Sequence, residues 1–327
     1  MCHRMRGLAS GKLRENKESL ASRSFAGNLK PLFLTMISTN LRLFFCLASA
    51  LLTSCSTTPQ GTTHYQPYPG QASPSLPPPP SSVFRPNGPL PSCQAASYIL
   101  VDAMTGQTLA QRNADEPRGV ASTQKLVTAL VVSRSGNLDR KIRIETSDTR
   151  VEPTKLGLVP GEIISRREVL YAFLVKSGND GANALARDNA GSQSAFAARM
   201  NSLARFYGAT NSYFVTPHGL SAGGQHSTAR DMAKVAVAAY RDPLIRDIVR
   251  RRYITFHGHS LRNTNDLLER MPDCNGMKTG YTSAAGKCLI SSASRNGRAV
   301  ILVQLGSHLK NIWSDGQALM NWGLGGY

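Results

Sequence analysis

Three short patterns in this chain combine residue types that acyl transfer needs. Ser122 and Lys125 stand three residues apart in Ser122-Thr123-Gln124-Lys125, at the head of the apolar run 126–132, LVTALVV. At helical spacing such a hydroxyl and amine share one face, a turn apart. The N-terminal end of a helix favours negative charge on the serine oxygen. A buried lysine is driven toward its neutral form by desolvation, so it can accept the serine's proton. The spacing alone is weak, because 33 serines and 11 lysines yield roughly one chance match in this length, and a second match occurs at Ser307/Lys310. Ser307 follows a strand pattern with no apolar helix behind it and reads as part of a solvated loop.

A Ser-x-Asn pattern occurs four times, at Ser38/Asn40, Ser135/Asn137, Ser177/Asn179 and Ser294/Asn296. Ser135 lies 13 residues beyond Ser122 on the same helix. At 1.5 Å per residue that is roughly 20 Å away, too far to join a site at Ser122. Ser177 follows a separate apolar helix and is free to fold back. The third pattern, Lys278-Thr279-Gly280, is the most specific, with a chance expectation of about 0.15 in this composition. On a strand, Lys278 supplies positive potential, the Thr279 hydroxyl binds a carboxylate, and Gly280 lets an extended substrate pair with the strand edge.

Patterning predicts the elements that hold these residues. Ser97–Asp102 and Thr108–Arg112 flank Met104-Thr105-Gly106 as a hairpin. Ser122 opens a helix too apolar all round to lie on a surface. Arg167–Lys176, Gly181–Asn189 and Ser194–Tyr207 read as helices, the last with Gly208 just beyond its end. Thr228 starts an Ala-rich helix reaching Tyr240. Tyr253–His257, Gly276–Gly280, Lys287–Ala293 and Ala299–Leu305 read as strands, and Gln317–Trp322 as a closing helix. Strands at both ends of a helical middle predict an α+β domain with one antiparallel sheet.

The ends of the chain carry a different message. The 327 residues hold 38 Lys+Arg against 20 Asp+Glu, a net charge of +18. That excess invites a polyanion partner whatever the fold. Yet residues 1–55 form a basic stretch, then a ten-residue apolar run, Leu43–Leu52, then Leu52-Thr53-Ser54-Cys55. Ten residues are too few for a membrane span of about 20 and read as a signal region. The final tetrad is similar to a bacterial lipobox, which makes Cys55 the expected lipidation site; an ordinary signal peptide with a nearby cysteine is the alternative. A start at Met36 would make residues 1–35 an over-long beginning. Residues 56–92 hold 11 of the 18 prolines and read as a semi-rigid linker. Without residues 1–55 the chain keeps 30 cations against 18 anions, +12. The expectation is a cell-envelope protein on the periplasmic side, attached to a membrane through its N-terminal lipid, the outer membrane where one exists. Its polyanion is then the peptidoglycan wall. No nucleic-acid motif appears, and the composition excludes a disordered or disulfide-built chain.

In order, the three patterns form the set found in active-site serine β-lactamases and penicillin-binding proteins. Residues 95–327 resemble the low-molecular-mass penicillin-binding proteins, the serine D-alanyl-D-alanine carboxypeptidase family, and the peptidase domain is expected over 93–327. The resemblance runs through the blocks 97–130, 167–186, 214–220 (FVTPHGL), 227–233 (STARDMA), 263–268 (NTNDLL) and 276–293 (GMKTGYTSAAGKCLISSA). It implies a β-lactamase/transpeptidase-like fold, with an all-helical subdomain carrying Ser177-Gly178-Asn179. It implies Ser122 as acyl-enzyme nucleophile, Lys125 as its base, and Ser177 as proton relay to the leaving amine. Asn179, Lys278, Thr279, Gly280 and Tyr281 would bind substrate, with the backbone N–H groups of Ser122 and Tyr281 as oxyanion hole. Peptidoglycan stem peptides are the implied substrate and β-lactams the implied covalent inhibitors, with no cofactor and no metal. His218 falls in a family block but reads by default as a structural loop histidine.

Two departures stand out. Relatives often continue into a small β-rich C-terminal domain and an anchoring helix; here the sequence reaches NWGLGGY, and an N-terminal lipid would replace that anchor. Many relatives also carry an arginine before the closing helix, where this chain has Lys310, Ile312 and Trp313. Carboxylate binding would then rest on Lys278 and Thr279, which keeps a D,D-endopeptidase that opens cross-links as an alternative. A class A-like β-lactamase needs a glutamate for deacylation, but none occurs between Glu168 and Glu269. A peptidoglycan-binding lipoprotein with a decayed site is the non-enzyme alternative. Beyond Cys55, Cys93, Cys274 and Cys288 remain, and Cys274–Cys288 either pair or stay as small hydrophobes.

Overall fold

The computed structural model describes residues 86–325. The signal region, Cys55, Ser38/Asn40 and most of the proline-rich linker lie outside the described residues. Among the described residues no helix is long and apolar enough to cross a membrane.

Five antiparallel strands form the main sheet: β1 (Ser97–Asp102), β2 (Thr108–Arg112), β7 (Cys274–Thr282), β8 (Gly286–Arg295) and β9 (Arg298–Ser307), in the order β2-β1-β9-β8-β7. The two ends of the chain therefore meet at its centre, where Leu100 pairs with Leu302. The inner strands are covered on both faces. Ile99, Val101, Ile290, Ile301 and Val303 join the core under the helices. Tyr98, Leu100, Leu289, Val300 and Leu302 join a second core under α9 (Ile312–Gly323). Burial on both faces explains why β9 reads as a nearly unbroken apolar run.

Helix α1 (Lys125–Arg134) is the central pillar, buried from Lys125 through Val132. It packs against α3 (Arg166–Lys176), α4 (Asn179–Ala190), α5 (Gln193–Phe206), α6 (Ala229–Arg241) and α7 (Pro243–Val249). Their starts follow local capping chemistry. Ser165 and Glu168 form a capping box on α3, while Ser192 caps α5 and Thr228 caps α6 through their side chains.

Patterning therefore placed the long elements and missed the short ones. Strands β3 (Lys141–Arg143), β4 (Ile163–Ser165), β5 (Tyr253–Phe256) and β6 (His259–Arg262) make two small ribbons, and α2 (Thr146–Thr149) and α8 (Leu267–Arg270) are single turns. Of these only β5 was anticipated. The β3–β4 ribbon adds a strand pair to the part expected to be wholly helical. Segments of three or four residues are too short to display a period. The closing helix starts at Ile312, five residues before the patterned start, and carries Gly316 inside it. A Cβ on Gly316 would stand 3.0 Å from Gln304 Nε2, so the glycine serves close packing of helix on sheet.

One other reading changes, and one open alternative closes. Ser307 ends β9 and is buried rather than solvated, while Lys310 is exposed, so that pair forms no Ser-Lys site. Cys93, Cys274 and Cys288 are all free thiols. Cys274 pairs with Ala293 and Cys288 with Gly280, which puts the two cysteines five positions apart along β8. At 3.3 Å per residue that is about 16 Å, beyond disulfide reach.

Candidate active site

Ser122 sits in a 3₁₀ turn, Ala121–Gln124, that runs directly into α1. The preceding Ala121 has φ +48°, a left-handed conformation costly for a residue with a Cβ. The turn is clamped from two sides by glycines. A Cβ on Gly219 (φ +89°) would stand 2.1 Å from the Ala121 carbonyl oxygen, and one on Gly280 would stand 2.8 Å from the Ser122 nitrogen. Gly280 was expected to admit substrate to the strand edge. Its structural work is to bring β7 against the turn that carries Ser122.

Lys125, the first residue of α1, is fully buried and its Nζ lies 2.8 Å from Ser122 Oγ and 2.8 Å from Asn179 Oδ1. A third acceptor is the main-chain carbonyl of His218. Burial holds the Lys125 amine well below the ordinary lysine value; the charge of Lys278 pushes the same way and Asp180 opposes. A neutral amine has two N–H bonds and one lone pair. In that form Asn179 Oδ1 and the His218 carbonyl can take the two hydrogens, which leaves the lone pair for the Ser122 hydroxyl. Half-buried Ser122 remains open to an incoming carbonyl. This arrangement can remove the hydroxyl proton as the oxygen attacks.

Ser177 and Asn179 come from the break between α3 and α4. Ser177 caps α3 in the left-handed conformation (φ +71°, ψ +27°), Gly178 precedes α4, and Asn179 is its first residue. The turn aims the Ser177 hydroxyl at Lys278, whose Nζ donates to it at 2.8 Å and to the Thr279 carbonyl at 3.0 Å. Lys278 is fully buried and desolvation lowers its pKa to about 7. Thr279 Oγ1 lies 2.6 Å from Thr264 Oγ1. Tyr281 is exposed at the site's rim, with Lys287 Nζ 4.5 Å from its ring centroid.

Ser122, Lys125, Ser177, Asn179 and Lys278 thus converge where β7, the Ser122 turn and the α3–α4 break meet. Ser135 caps the far end of α1, as its spacing required. His218 divides into two parts. Its ring is buried and neutral, with a pKa of about 3 set first by desolvation and then by the charge of Lys125. Its Nδ1 accepts from the Leu220 N–H, which fits a structural loop histidine. Its carbonyl, however, is a ligand of Lys125 and lies 3.3 Å from Ser122 Oγ.

Sequence reasoning also missed Asp180. Its buried carboxylate accepts from the backbone N–H groups of Leu156, Gly157 and Leu158 at 2.8–3.3 Å and from that of Gly181. In return Asn179 N–H donates to the Thr154 carbonyl. These bonds fix the 154–158 loop beside Asn179. An acid in the first turn of a helix is ordinarily a cap, so its position alone did not mark it. Among the described residues no cluster of three His, Cys, Asp or Glu side chains could hold a metal ion.

A family model described as D-alanyl-D-alanine carboxypeptidase matches residues 83–308. The chain is 34% identical over 245 residues to the D-alanyl-D-alanine carboxypeptidase DacB2 of Mycobacterium tuberculosis, covering 72% of this chain and 84% of that protein. It is 37% identical over 248 residues to the D-alanyl-D-alanine carboxypeptidase DacC of Escherichia coli K12, covering 71% of this chain and 62% of that protein. Among solved structures, penicillin-binding protein 6B of Escherichia coli superposes with a TM-score of 0.69 at 33% identity, covering 74% of this chain and 81% of that one.

Proposed function

The chain belongs to the D-alanyl-D-alanine carboxypeptidase family, and from that premise we propose that it is a serine peptidase that trims the terminal D-alanine from peptidoglycan stem peptides. The observation that carries the mechanism is the buried Lys125 amine, 2.8 Å from Ser122 Oγ, with its two other partners both acceptors.

In this reading Ser122 Oγ attacks the carbonyl of the penultimate D-alanine while Lys125 Nζ takes the hydroxyl proton. The oxyanion is held by the backbone N–H groups of Ser122 and Tyr281. Collapse of the tetrahedral intermediate breaks the C–N bond. The proton returns to the leaving amine through Ser177, and free D-alanine departs. Water then attacks the acyl ester, giving its proton to Lys125, and Ser122 is regenerated. Lys278, with the Thr279 hydroxyl, holds the substrate's terminal carboxylate, while Asn179 orients Lys125 and the peptide backbone. A β-lactam enters the same path and stops at the acyl-enzyme, because the sequence between Glu168 and Glu269 offers no glutamate to activate a deacylating water.

The N-terminal features support an envelope location. A signal region ends at Cys55, which takes the lipid. Residues 56–92 act as the tether, and the peptidase domain spans 93–327 on the periplasmic side. The positively charged mature chain suits an anionic wall.

Incubation with fluorescent penicillin tests the site: labelling is expected in the wild-type chain and absent in Ser122→Ala. Wild-type protein that fails to label is the inactive binding lipoprotein instead. Digestion of purified peptidoglycan then separates the leaving groups. Free D-alanine supports the carboxypeptidase, un-crosslinked peptides without free D-alanine indicate the endopeptidase, and rapid steady-state penicillin turnover would indicate a β-lactamase. Loss of membrane association in Cys55→Ala tests the anchor.

A further inference from the structure

One cavity among the described residues lies away from Ser122 and shares no residue with the Ser122 site. It is a groove of about 500 Å³ between the β1–β2 hairpin, the C-terminal ends of α1 and α5, and the outer face of α6. Helix α6 contributes Arg230, Ala233, Lys234, Val237, Ala238 and Arg241, a stripe at helical spacing along nearly its whole length. Over the eleven steps from Arg230 to Arg241 that stripe runs about 17 Å. Ile99, Val101 and Leu130 close the floor, and Phe206, which is exposed at its edge, forms one wall.

The rim is cationic but unevenly neutralised. At one end Arg230 is bonded by both carboxylate oxygens of Asp115, and Lys234 pairs with Asp231. At the other end Arg134 and Arg241 have neutral acceptors: Arg134 donates to Tyr207 Oη at 2.9 Å and stacks on the Phe206 and Tyr207 rings, while Arg241 donates to the Met104 carbonyl. Asp242 is the acid in this lining. One of its oxygens caps α7 through the Leu244 and Ile245 N–H groups and the other accepts from Ser133 Oγ. Two guanidinium groups therefore face an apolar trough with no carboxylate among the described residues hydrogen-bonded to either. Guanidinium forks bind carboxylates and phosphates with charge-assisted hydrogen bonds. A concave apolar site with a few convergent polar groups is the ordinary form of a small-molecule pocket.

We propose that this groove binds one single-chain amphiphile with an anionic head, its apolar body along α6 and its head between Arg134 and Arg241. The site is separate from the peptidase cleft and needs no chemistry there.

Titration of the full-length protein with dodecanoate below its micelle concentration, followed by calorimetry, tests this. One saturable site is expected, with dodecanol and dodecyltrimethylammonium binding at least tenfold more weakly. The double variant Arg134→Gln/Arg241→Gln should weaken dodecanoate at least tenfold while leaving dodecanol unchanged. Ala238→Phe, which fills the trough, should weaken both. Melting temperatures establish that the variants fold. Dodecyl phosphate in place of dodecanoate distinguishes a phosphate from a carboxylate head, and saturable binding of either supports the site. Absence of saturable binding by both anions, equal affinity for acid and alcohol, or undiminished binding in the double variant would overturn the proposal.

Discussion

Lys125 and Lys278 occupy two regions that look alike by burial and differ in what surrounds them. Both side chains are fully buried, and neither forms an ion pair among the described residues. Lys125 starts a helix and is encircled by Ser122 Oγ, Asn179 Oδ1 and a carbonyl. Lys278 lies mid-strand at the sheet edge and reaches a hydroxyl and a carbonyl. Desolvation alone brings Lys278 to about 7, whereas Lys125 is lowered first by desolvation and then by the charge of Lys278, with Asp180 opposing. The proposed mechanism uses the pair as a base, Lys125, and a cation, Lys278. An anionic substrate docking beside Lys278 raises that lysine's proton affinity, and a charged Lys278 in turn keeps Lys125 neutral. Burial lowers both lysines, and the charge of Lys278 lowers Lys125 in addition.

The comparison breaks most visibly at Lys125. Lys125→Ala should slow acylation of Ser122 by about 10³-fold, the scale of a lost general base, as read from single-turnover penicillin labelling. Lys278→Gln should cost less, on the order of 10–100-fold in kcat/KM for a peptide with a free C-terminal carboxylate. Part of that loss should appear in KM. Equal losses at the two lysines would contradict the division of roles.

A pH profile sharpens the same contrast. In the free enzyme kcat/KM should fall on the alkaline side as Lys278 loses its proton near 7, and Lys278→Arg should move that limb upward, since an arginine stays charged. The linked stability effect has the opposite sign. Between about 7 and the ordinary value of 10.5 the unfolded chain holds a proton that folded Lys278 has released, so this group's contribution to stability rises with pH through that window. Thermal melts of Lys278→Met against wild type should show a shallower rise there. The smallest effect is expected at Asp180, whose charge opposes the lowering at Lys125. Asp180→Asn should shift the acid limb to lower pH by about one unit or less, together with some loss of stability as the 154–158 loop loosens.

The difference between the lysines also shows what could be read from residue order. Ser122 and Lys125 were legible because three residues of helical rise place them together whatever else the chain does. The strands β1, β8 and β9 and the helices α1 and α6 were legible because they are long enough to show a period. Ribbons β3–β4 and β5–β6 were not, except for β5 by its composition, since their pairing depends on partners elsewhere. Choosing Ser177 over Ser135 was possible by helix length alone. Choosing the His218 carbonyl was not, because a backbone oxygen has no signature in the residue order and His218 offered its ring as a distraction. Gly219 and Asp180 were overlooked for a related reason. A loop glycine and a first-turn acid are commonplace, and only the approach of Ala121 to one and of the 154–158 loop to the other makes them particular.

By itself the sequence determined which side chains could do chemistry, the α+β order of elements and the family, because these depend on residue type and short spacing. Only the tertiary structure decided that Ser177, 101 residues from Lys278 along the chain, would meet it at 2.8 Å. It also decided that both lysines would lose water together, and that an apolar groove would open by the C-terminal end of α1, with two guanidinium groups that have no carboxylate partner among the described residues. Desolvation and charge coupling are properties of distance and enclosure, and neither exists until distant segments have packed.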